Sequence, residues 1–304
     1  MHYTLHQLQI FLKIVEKSSI TKAAQELHLT QPAVSIQLKN FQNQFPIPLT
    51  EILGRQLYVT DFGSEIAGAA EKIINEVNQI TYKTLAYQGQ LSGVLKISIV
   101  STGQYIFPYF ISEFIKKHQG VDLILDVTNK ERVVNSLEEN KVDFSLVSIL
   151  PKHLPIQKTK LMENLLYLVG NSSEKFSQKK YNASFLAELP LIYREPGSGT
   201  RSMMEKYIEQ NSLSIRNKME IISNEAVKQA VIAGLGYSIM PLIGIRTELE
   251  TKRLQIIPMH GLPLKTTWNL IWLKNKNLSP VADAFLKFIE EEKDEIIKKL
   301  FLSN

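Results

Sequence analysis

A heptad pattern between residues 64 and 90 divides the chain into two parts of different character. Apolar or small residues there recur in alternating steps of four and three positions: Ile66, Ala70, Ile73, Val77, Ile80, Thr84 and Tyr87. No proline interrupts the run. A 3.5-residue repeat predicts one continuous helix that pairs with a second copy as a coiled coil. An amphipathic helix that packs on its own protein gives the same pattern, so both interpretations stay open.

Before this helix, residues 1–63 predict a small all-α domain with a short tail. The first helical face comprises Leu5, Leu8, Phe11, Leu12 and Val15. Ser18 or Ser19 can cap a second helix, whose apolar face is Ile20, Ala23, Ala24 and Leu27. Thr30 can cap a third helix with Pro32 in its first turn, where a missing N–H costs nothing. The buried stripe of that helix is Val34, Leu38, Phe41 and Phe45.

After the long helix, strand patterns alternate with helix patterns. The strand GVLKISIVS is followed by the helix QYIFPYFISEFIKKH, and VDLILDV, KERVVNSLEEN and VDFSLVS continue the alternation. A similar series runs from LPLIYRE to GYSIMP. Alternating strands and helices are typical of parallel α/β layers. We therefore predict two α/β units, with the late strand TTWNLIWLK and the helix after Pro280 returning to the first unit.

This order of parts gives explicit domain boundaries. The N-terminal domain spans residues 1–63, the linker helix 64–90 and the C-terminal domain 91–304. Within the last, subdomain I comprises 91–165 plus 269–304, and subdomain II comprises 166–268. Ligands of open α/β sheets bind beyond the carboxyl ends of the strands, so we expect a ligand cleft between the two subdomains.

Composition narrows the classes of function. The 304 residues include no cysteine, which excludes a disulfide scaffold, a thiolate zinc site, a cysteine nucleophile and a cysteine redox switch. The net charge of +5 permits a nucleic-acid partner. Residues 1–63 carry only four Lys and one Arg against three Glu and one Asp. A DNA contact there must therefore rely on a few well-placed groups.

The stretch ITKAAQELHLTQPAVSIQLKNF is the strongest motif. Two short helices around a tight break, with an Ala-Ala pair that allows a close crossing, suit a helix-turn-helix, although a small structural bundle fits the periodicity equally well. Gln and Ser can address base edges, Pro and Ala can pack on thymine methyls, and Lys can meet phosphate. The candidate DNA-contacting residues on the second helix are Thr30, Gln31, Pro32, Ala33, Ser35, Gln37 and Lys39.

Residues 30–41, TQPAVSIQLKNF, resemble the recognition helix of LysR-type transcriptional regulators. The stretch IPLTEILGRQLYVTDFG is similar to the wing of that family and matches its pattern at Pro48, Leu49, Arg55, Thr60 and Gly63. The chain departs from the pattern at Ile36, Thr50, Ile52 and Phe62. Since Ile52 replaces the usual Arg, Arg55 becomes the candidate wing contact to DNA.

This resemblance covers essentially the whole chain. It implies a winged helix-turn-helix, a linker helix that forms a homodimer on double-stranded DNA, and an effector domain like the periplasmic binding proteins. It also favours a homotetramer. The stretch REPGSGTR, residues 194–201, is similar to the branch that includes the Calvin-cycle regulators, which implies a phosphorylated or carboxylated effector.

Four stretches at predicted strand ends should line the effector cleft. Each alone is more simply a helix cap or a turn, but together they favour a small, polar, anionic ligand. The candidate residues are Ser101, Thr102, Gly103, Asn129, Ser148, Ser198, Gly199, Thr200 and Arg201. Arg201 is the expected counter-charge, whereas Arg194 can pair with Glu195 or face solvent.

Two other functions compete with this interpretation. The glycine loop at 197–201 suggests a phosphate- or nucleotide-handling enzyme, but no Lys follows it as in a P-loop, and metal-ligand and nucleophile-elbow spacings are missing from the sequence. A transport solute-binding protein would suit the cleft but not the helix-turn-helix. We expect no catalytic residue, cofactor, metal or membrane partner. Without a signal-peptide pattern or a long apolar run, the protein should be cytoplasmic.

Overall fold

The computed structural model describes residues 3–54, 56–87, 90–216 and 218–301, without the side chains of residues 83, 86, 87, 300 and 301. Two compact units are present, residues 1–90 and residues 91–304.

The first unit begins with three short helices, whose bounds are α1 (Leu5–Lys17), α2 (Ile20–Glu26) and α3 (Gln31–Gln42). Polar caps start each one. The Ser19 side chain accepts a hydrogen bond from the Lys22 amide at the start of α2, and Thr30 accepts one from the Ala33 amide at the start of α3. The helices meet over Ala23 and Ala24, which are fully buried beside the large core side chains Phe11, Val34 and Phe41.

The tail of this domain is a β-hairpin, as the resemblance to the family's wing implied, although the description of the domain as all-α does not hold for it. Strands β1 (Thr50–Leu53) and β2 (Gln56–Val59) pair antiparallel and form the wing. The side chain of Thr60 closes the base of the hairpin by donating to the Pro48 carbonyl at 2.7 Å and accepting from the Gly63 amide at 2.9 Å. A Cβ atom at Gly63 would lie 2.0 Å from the Leu49 carbonyl oxygen, so this close approach requires glycine.

The linker helix α4 (Asp61–Tyr87) begins three residues before the predicted start. Its heptad residues divide into two groups. Ala70 is buried and Ile66 half-buried in the core of the N-terminal domain. Farther along, Ile73 is 40% exposed and Ile80 is 67% exposed, while Tyr87 lies outside the described side chains. The first part of the stripe therefore packs on its own domain, and the second part faces outward.

The second unit is built on one mixed sheet that passes through two lobes. Its strands are β3 (Ser92–Val100), β4 (Gly120–Thr128), β5 (Phe144–Val147), β6 (Ile156–Asn171), β9 (Ser238–Pro241), β10 (Leu254–Ile256) and β11 (Leu264–Leu273). They are ordered β10-β6-β11-β5-β3-β4 in the sheet, and β9 also pairs with β6. A separate two-stranded parallel sheet comprises β7 (Leu191–Tyr193) and β8 (Lys218–Glu220). The long antiparallel strands β6 and β11 connect the lobes.

Helices cover the strands of each lobe. In the first lobe these are α5 (Phe107–Lys117), α6 (Lys130–Glu138) and α10 (Pro280–Phe301), with a 3₁₀ turn at Ser101–Tyr105. In the second lobe they are α7 (Gly199–Gln210), α8 (Asn224–Ile232) and α9 (Arg246–Glu250). β11 pairs with β5, and Phe285 of α10 is buried with Phe114 and Phe144, so the C-terminal segment packs on the first lobe. No helix in the described part of the chain is long and apolar enough to cross a membrane.

Candidate functional site

Helix α3 presents one polar face. Thr30, Gln31, Pro32 and Lys39 are exposed, and Ala33, Ser35 and Gln37 are half-buried. The opposite face buries Val34 and Leu38, which fixes the rotation of the helix on its domain. The amide of Gln37 is engaged, because its Oε1 accepts a hydrogen bond from Gln7 of α1 at 3.2 Å. The predicted wing residue Arg55 lies outside the described residues.

The wing is attached to the end of α3. The backbone amide and the hydroxyl of Thr50 both donate to Oε1 of Gln42, at 3.2 and 2.9 Å. Thr50 therefore replaces an apolar anchor with hydrogen bonds. At the far end of the hairpin, Ile52 is 67% exposed and Leu53 is 63% exposed. Of these two exposed apolar side chains, Ile52 stands where the family pattern places an arginine.

The predicted strand-end residues converge on one cleft between the two lobes of the second unit. It is lined by Val100, Ser101, Thr102, Asn129, Lys130, Ser148, Ile149, Ser198, Gly199 and Thr200. The cleft is narrow. A Cβ atom at Gly199 in the second lobe would lie 3.9 Å from the Ser148 hydroxyl and 4.0 Å from Cδ of Lys130 in the first. The gap between the walls has room for little more than one water molecule.

Two helices begin at this cleft. Asn129 caps α6 by accepting from the Arg132 amide at 3.0 Å, and Ser198 caps α7 by accepting from the Arg201 amide at 3.5 Å. Helix N-termini carry partial positive charge and unpaired N–H groups. Gly197, at φ +82°, turns the chain from β7 into the start of α7. The arrangement is suited to anions.

The structure brings together seven of the nine predicted effector residues, and the other two lie outside the lining. Gly103 is buried beneath the cleft, where a Cβ atom would meet Leu146 at 2.8 Å. The guanidinium of Arg201 contacts Glu205 at 2.7 Å and Glu220 at 2.6 Å. Because these two carboxylates already neutralise it, the expectation that Arg201 supplies the counter-charge is not supported.

Among the described residues, Lys130 is the cation in the cleft lining, and it is not one of the residues predicted from the sequence. It is the first residue of α6, directly after the cap Asn129, which was the available signal. Burial, and then the nearby charge of Lys152, lower the pKa of Lys130. Burial disfavours the ammonium, and a bound anion would restore the missing partner.

Arg194 is buried rather than solvent-facing. It is 4% exposed and donates to Glu195 at 2.8 and 2.9 Å, so the predicted pairing with Glu195 is confirmed. Its other hydrogen bonds go to Asn224 Oδ1 at 3.0 Å and to the Ser101 hydroxyl at 3.2 Å. Since Ser101 belongs to the first lobe, Arg194 ties the second lobe to the cleft wall of the first.

Comparison with known proteins covers both units of the chain. The family model described as "Bacterial regulatory helix-turn-helix protein, lysR family" matches residues 5–64, and the model described as "LysR substrate binding domain" matches residues 88–294. The chain is 36% identical over 293 residues to the RuBisCO operon transcriptional regulator of Allochromatium vinosum, covering 96% of this chain and 97% of that protein.

Two solved structures show the same fold. The CcmR regulatory domain of Synechocystis PCC6803, in complex with 2-PG, is 28% identical at a TM-score of 0.62, covering 65% of this chain and 96% of that one. A full-length OxyR variant from Pseudomonas aeruginosa is 19% identical at a TM-score of 0.72, covering 98% of this chain and 95% of that one. The chain therefore belongs to the LysR family of DNA-binding transcriptional regulators, with an N-terminal winged helix-turn-helix and a C-terminal effector-binding domain of the periplasmic-binding-protein type.

Proposed function

We propose that this regulator binds a specific DNA sequence and that a small anionic metabolite in the strand-end cleft modulates the binding. The observation that carries the proposal is the convergence of the starts of α6 and α7, several hydroxyl groups and Lys130 on one cleft. Among the described residues, the lining contains no Asp or Glu, although Glu131 lies next to the cleft beside Gly197. A ligand in the cleft would therefore meet the positive potential of the N-termini of α6 and α7 and of the Lys130 ammonium.

The relatives support the same kind of ligand. The Synechocystis domain that is 28% identical was solved with 2-PG, and the Allochromatium relative is named as a regulator of the RuBisCO operon. We infer a ligand with a phosphate or carboxylate group. Because the relatives are named as transcriptional regulators, they give no support to the alternative of a phosphate- or nucleotide-handling enzyme at the 197–201 loop.

For DNA, we propose that α3 enters the major groove and reads base edges through its exposed polar face. The contacting residues would be Thr30, Gln31, Pro32, Ala33, Ser35, Gln37 and Lys39, with Arg55 on the wing. Two recognition helices must reach successive major grooves about 34–36 Å apart, which requires a dimer.

The outward part of the α4 stripe is the proposed dimer contact. Ile73 and Ile80 are exposed, with Val77 half-buried between them. Residues 1–63, 64–90 and 91–304 would then serve for DNA binding, dimerisation and effector binding, with a tetramer as the assembled state. Sedimentation that found only a monomer in the presence of operator DNA would contradict this.

The ligand proposal is tested by calorimetric titration with a panel of anionic metabolites that includes 2-PG. Lys130→Gln should weaken binding about tenfold or more, because a hydrogen bond to a charged group is worth roughly 1.5–3 kcal/mol. Lys152→Gln is the matched control, since this exposed lysine is near Lys130 but outside the lining. Equal losses in both variants, or no binding by the wild type to any anion of the panel, would refute the proposal.

A further inference from the structure

The two ends of the 3₁₀ turn Ser101–Tyr105, which follows β3, make different contacts. Ser101 and Thr102, at its start, line the cleft, and Thr102 is only 5% exposed. Tyr105, at its other end, does not line the cleft but reaches the second lobe. One short turn of the first lobe therefore carries both a cleft wall and a contact between lobes.

The side chain of Tyr105 is enclosed by the second lobe. Its hydroxyl donates to Glu225 and accepts a hydrogen bond from Nδ2 of Asn224 at 3.2 Å. The ring lies against Gly244, where a Cβ atom would be 2.7 Å from the ring edge. Burial, and then the hydrogen bond to Glu225, raise the pKa of Tyr105, so its hydroxyl remains a donor at neutral pH.

Lys228, beside the Tyr105 ring, is held by several polar contacts of its own. Lys228 is 7% exposed and lies 5.8 Å from the centre of the Tyr105 ring. Its ammonium contacts Glu225 and Glu248, each at 3.0 Å, and donates to the Gly244 carbonyl at 3.3 Å. A buried charge with several partners holds one geometry, because moving it would leave a charge unpaired in a dry environment.

Asn224 connects the residues around the Tyr105 ring with Arg194. Its Oδ1 accepts from Arg194, whose guanidinium also donates to Ser101, and its Nδ2 donates to Tyr105. Arg194 thus holds the Ser101 end of the turn, Asn224 and Glu225 hold the Tyr105 end, and Asn224, which is 3% exposed, is hydrogen-bonded to both Arg194 and Tyr105.

We propose that Tyr105 is a positioning residue for the effector cleft. Its attachment to Asn224, Glu225 and Gly244 sets the distance between the wall that carries Ser101 and the wall that carries Ser198–Thr200. With Tyr105 held by the second lobe, the cleft has room for little more than one water molecule. Binding sites for small molecules enclose about 300–1,000 Å³. A ligand must move the walls apart, and only a difference in its affinity for the two arrangements can drive that step.

The test measures the distance between the lobes in the full chain without any ligand. Because the chain has no cysteine, the paired changes Glu113→Cys on α5 and Glu209→Cys on α7 give two unique spin-label positions. Co-assembly with an excess of the same chain without these cysteines keeps the measured distance within one chain. Tyr105→Phe, which retains the ring and removes the hydroxyl, should shift the distance distribution to longer values and broaden it.

Tyr207→Phe is the matched control, because that hydroxyl donates to the His260 carbonyl within the second lobe. It should leave the distribution unchanged even if it lowers the melting temperature. Glu225→Ala removes the acceptor and should reproduce the shift of Tyr105→Phe. If both variants keep the wild-type distribution, Tyr105 does not position the lobes. The inference rests on the proposed function only for the identity of the ligand that enters the cleft. Because the distance between the lobes is measured without ligand, its outcome does not depend on whether an anion binds.

Discussion

At the scale of single residues, the charge of the cleft depends on which cations already have acidic partners. Arg201 follows the glycine loop, but its guanidinium is paired with two carboxylates. Glu205 lies four positions later on the same helix, a pairing that the spacing could have suggested. The second partner, Glu220, reaches it only because β8 pairs with β7, which local patterns do not reveal. Among the described residues of the cleft lining, Lys130 is the remaining cation.

The lowered pKa of Lys130 predicts a pH dependence of effector binding. As the pH rises through this pKa, the ammonium loses its proton and a bound anion loses its partner, so affinity should fall. The fall should occur below the ordinary lysine value of about 10.4. Titrations should begin near pH 7.5, above the second phosphate pKa of about 6, so that the ligand keeps a constant charge. Lys130→Gln should bind weakly with a flat profile, and an equal slope in that variant would contradict the assignment.

At the scale of secondary-structure elements, polar caps and apolar periodicity located most helices. Ser19 and Thr30 cap α2 and α3 as expected, and Pro32 lies in the first turn of α3. The hairpin β1–β2 was expected only from the resemblance to the family's wing, because its strands are four residues long and leave much of their surface exposed, so periodicity does not reveal them. The 16-residue strand β6 was missed because it serves both lobes, so its burial pattern changes along its length.

The faces of α3 and the wing predict distinct effects on DNA binding. Ser35→Ala or Gln31→Ala should relax sequence preference, at a cost of roughly 1–3 kcal/mol at one base position. Arg55→Ala should weaken binding to all sequences alike and reduce the salt slope by about 1. Fluorescence anisotropy with operator and scrambled duplexes at several salt concentrations separates the two effects. Lys116→Ala, an exposed lysine of the second unit, is the control. If Arg55→Ala relaxed the sequence preference and the α3 variants weakened binding to all sequences alike, the assignment of base and backbone contacts would be reversed.

At the scale of the whole molecule, the order of the parts and the strands shared by the lobes could be predicted from the sequence, because strands alternate with helices and TTWNLIWLK returns late in the chain. The side-chain contacts between the lobes could not be predicted. Arg194, Asn224 and Tyr105 belong to three separate segments, and the hydrogen bonds that cross the lobes join residues 93 to 120 positions apart. Local patterns cannot predict such contacts, because they arise only when the lobes fold against each other.

An anion in the cleft is proposed to change how the protein holds DNA. The footprint and bend angle of an operator fragment, measured with and without a ligand whose saturation has been established by calorimetry, test this proposal. The ligand should alter the footprint or the bend for the wild type, while Lys130→Gln should give the ligand-free pattern under both conditions. If the footprint and bend of the saturated wild type both stay unchanged, the anion does not act on DNA binding in this way.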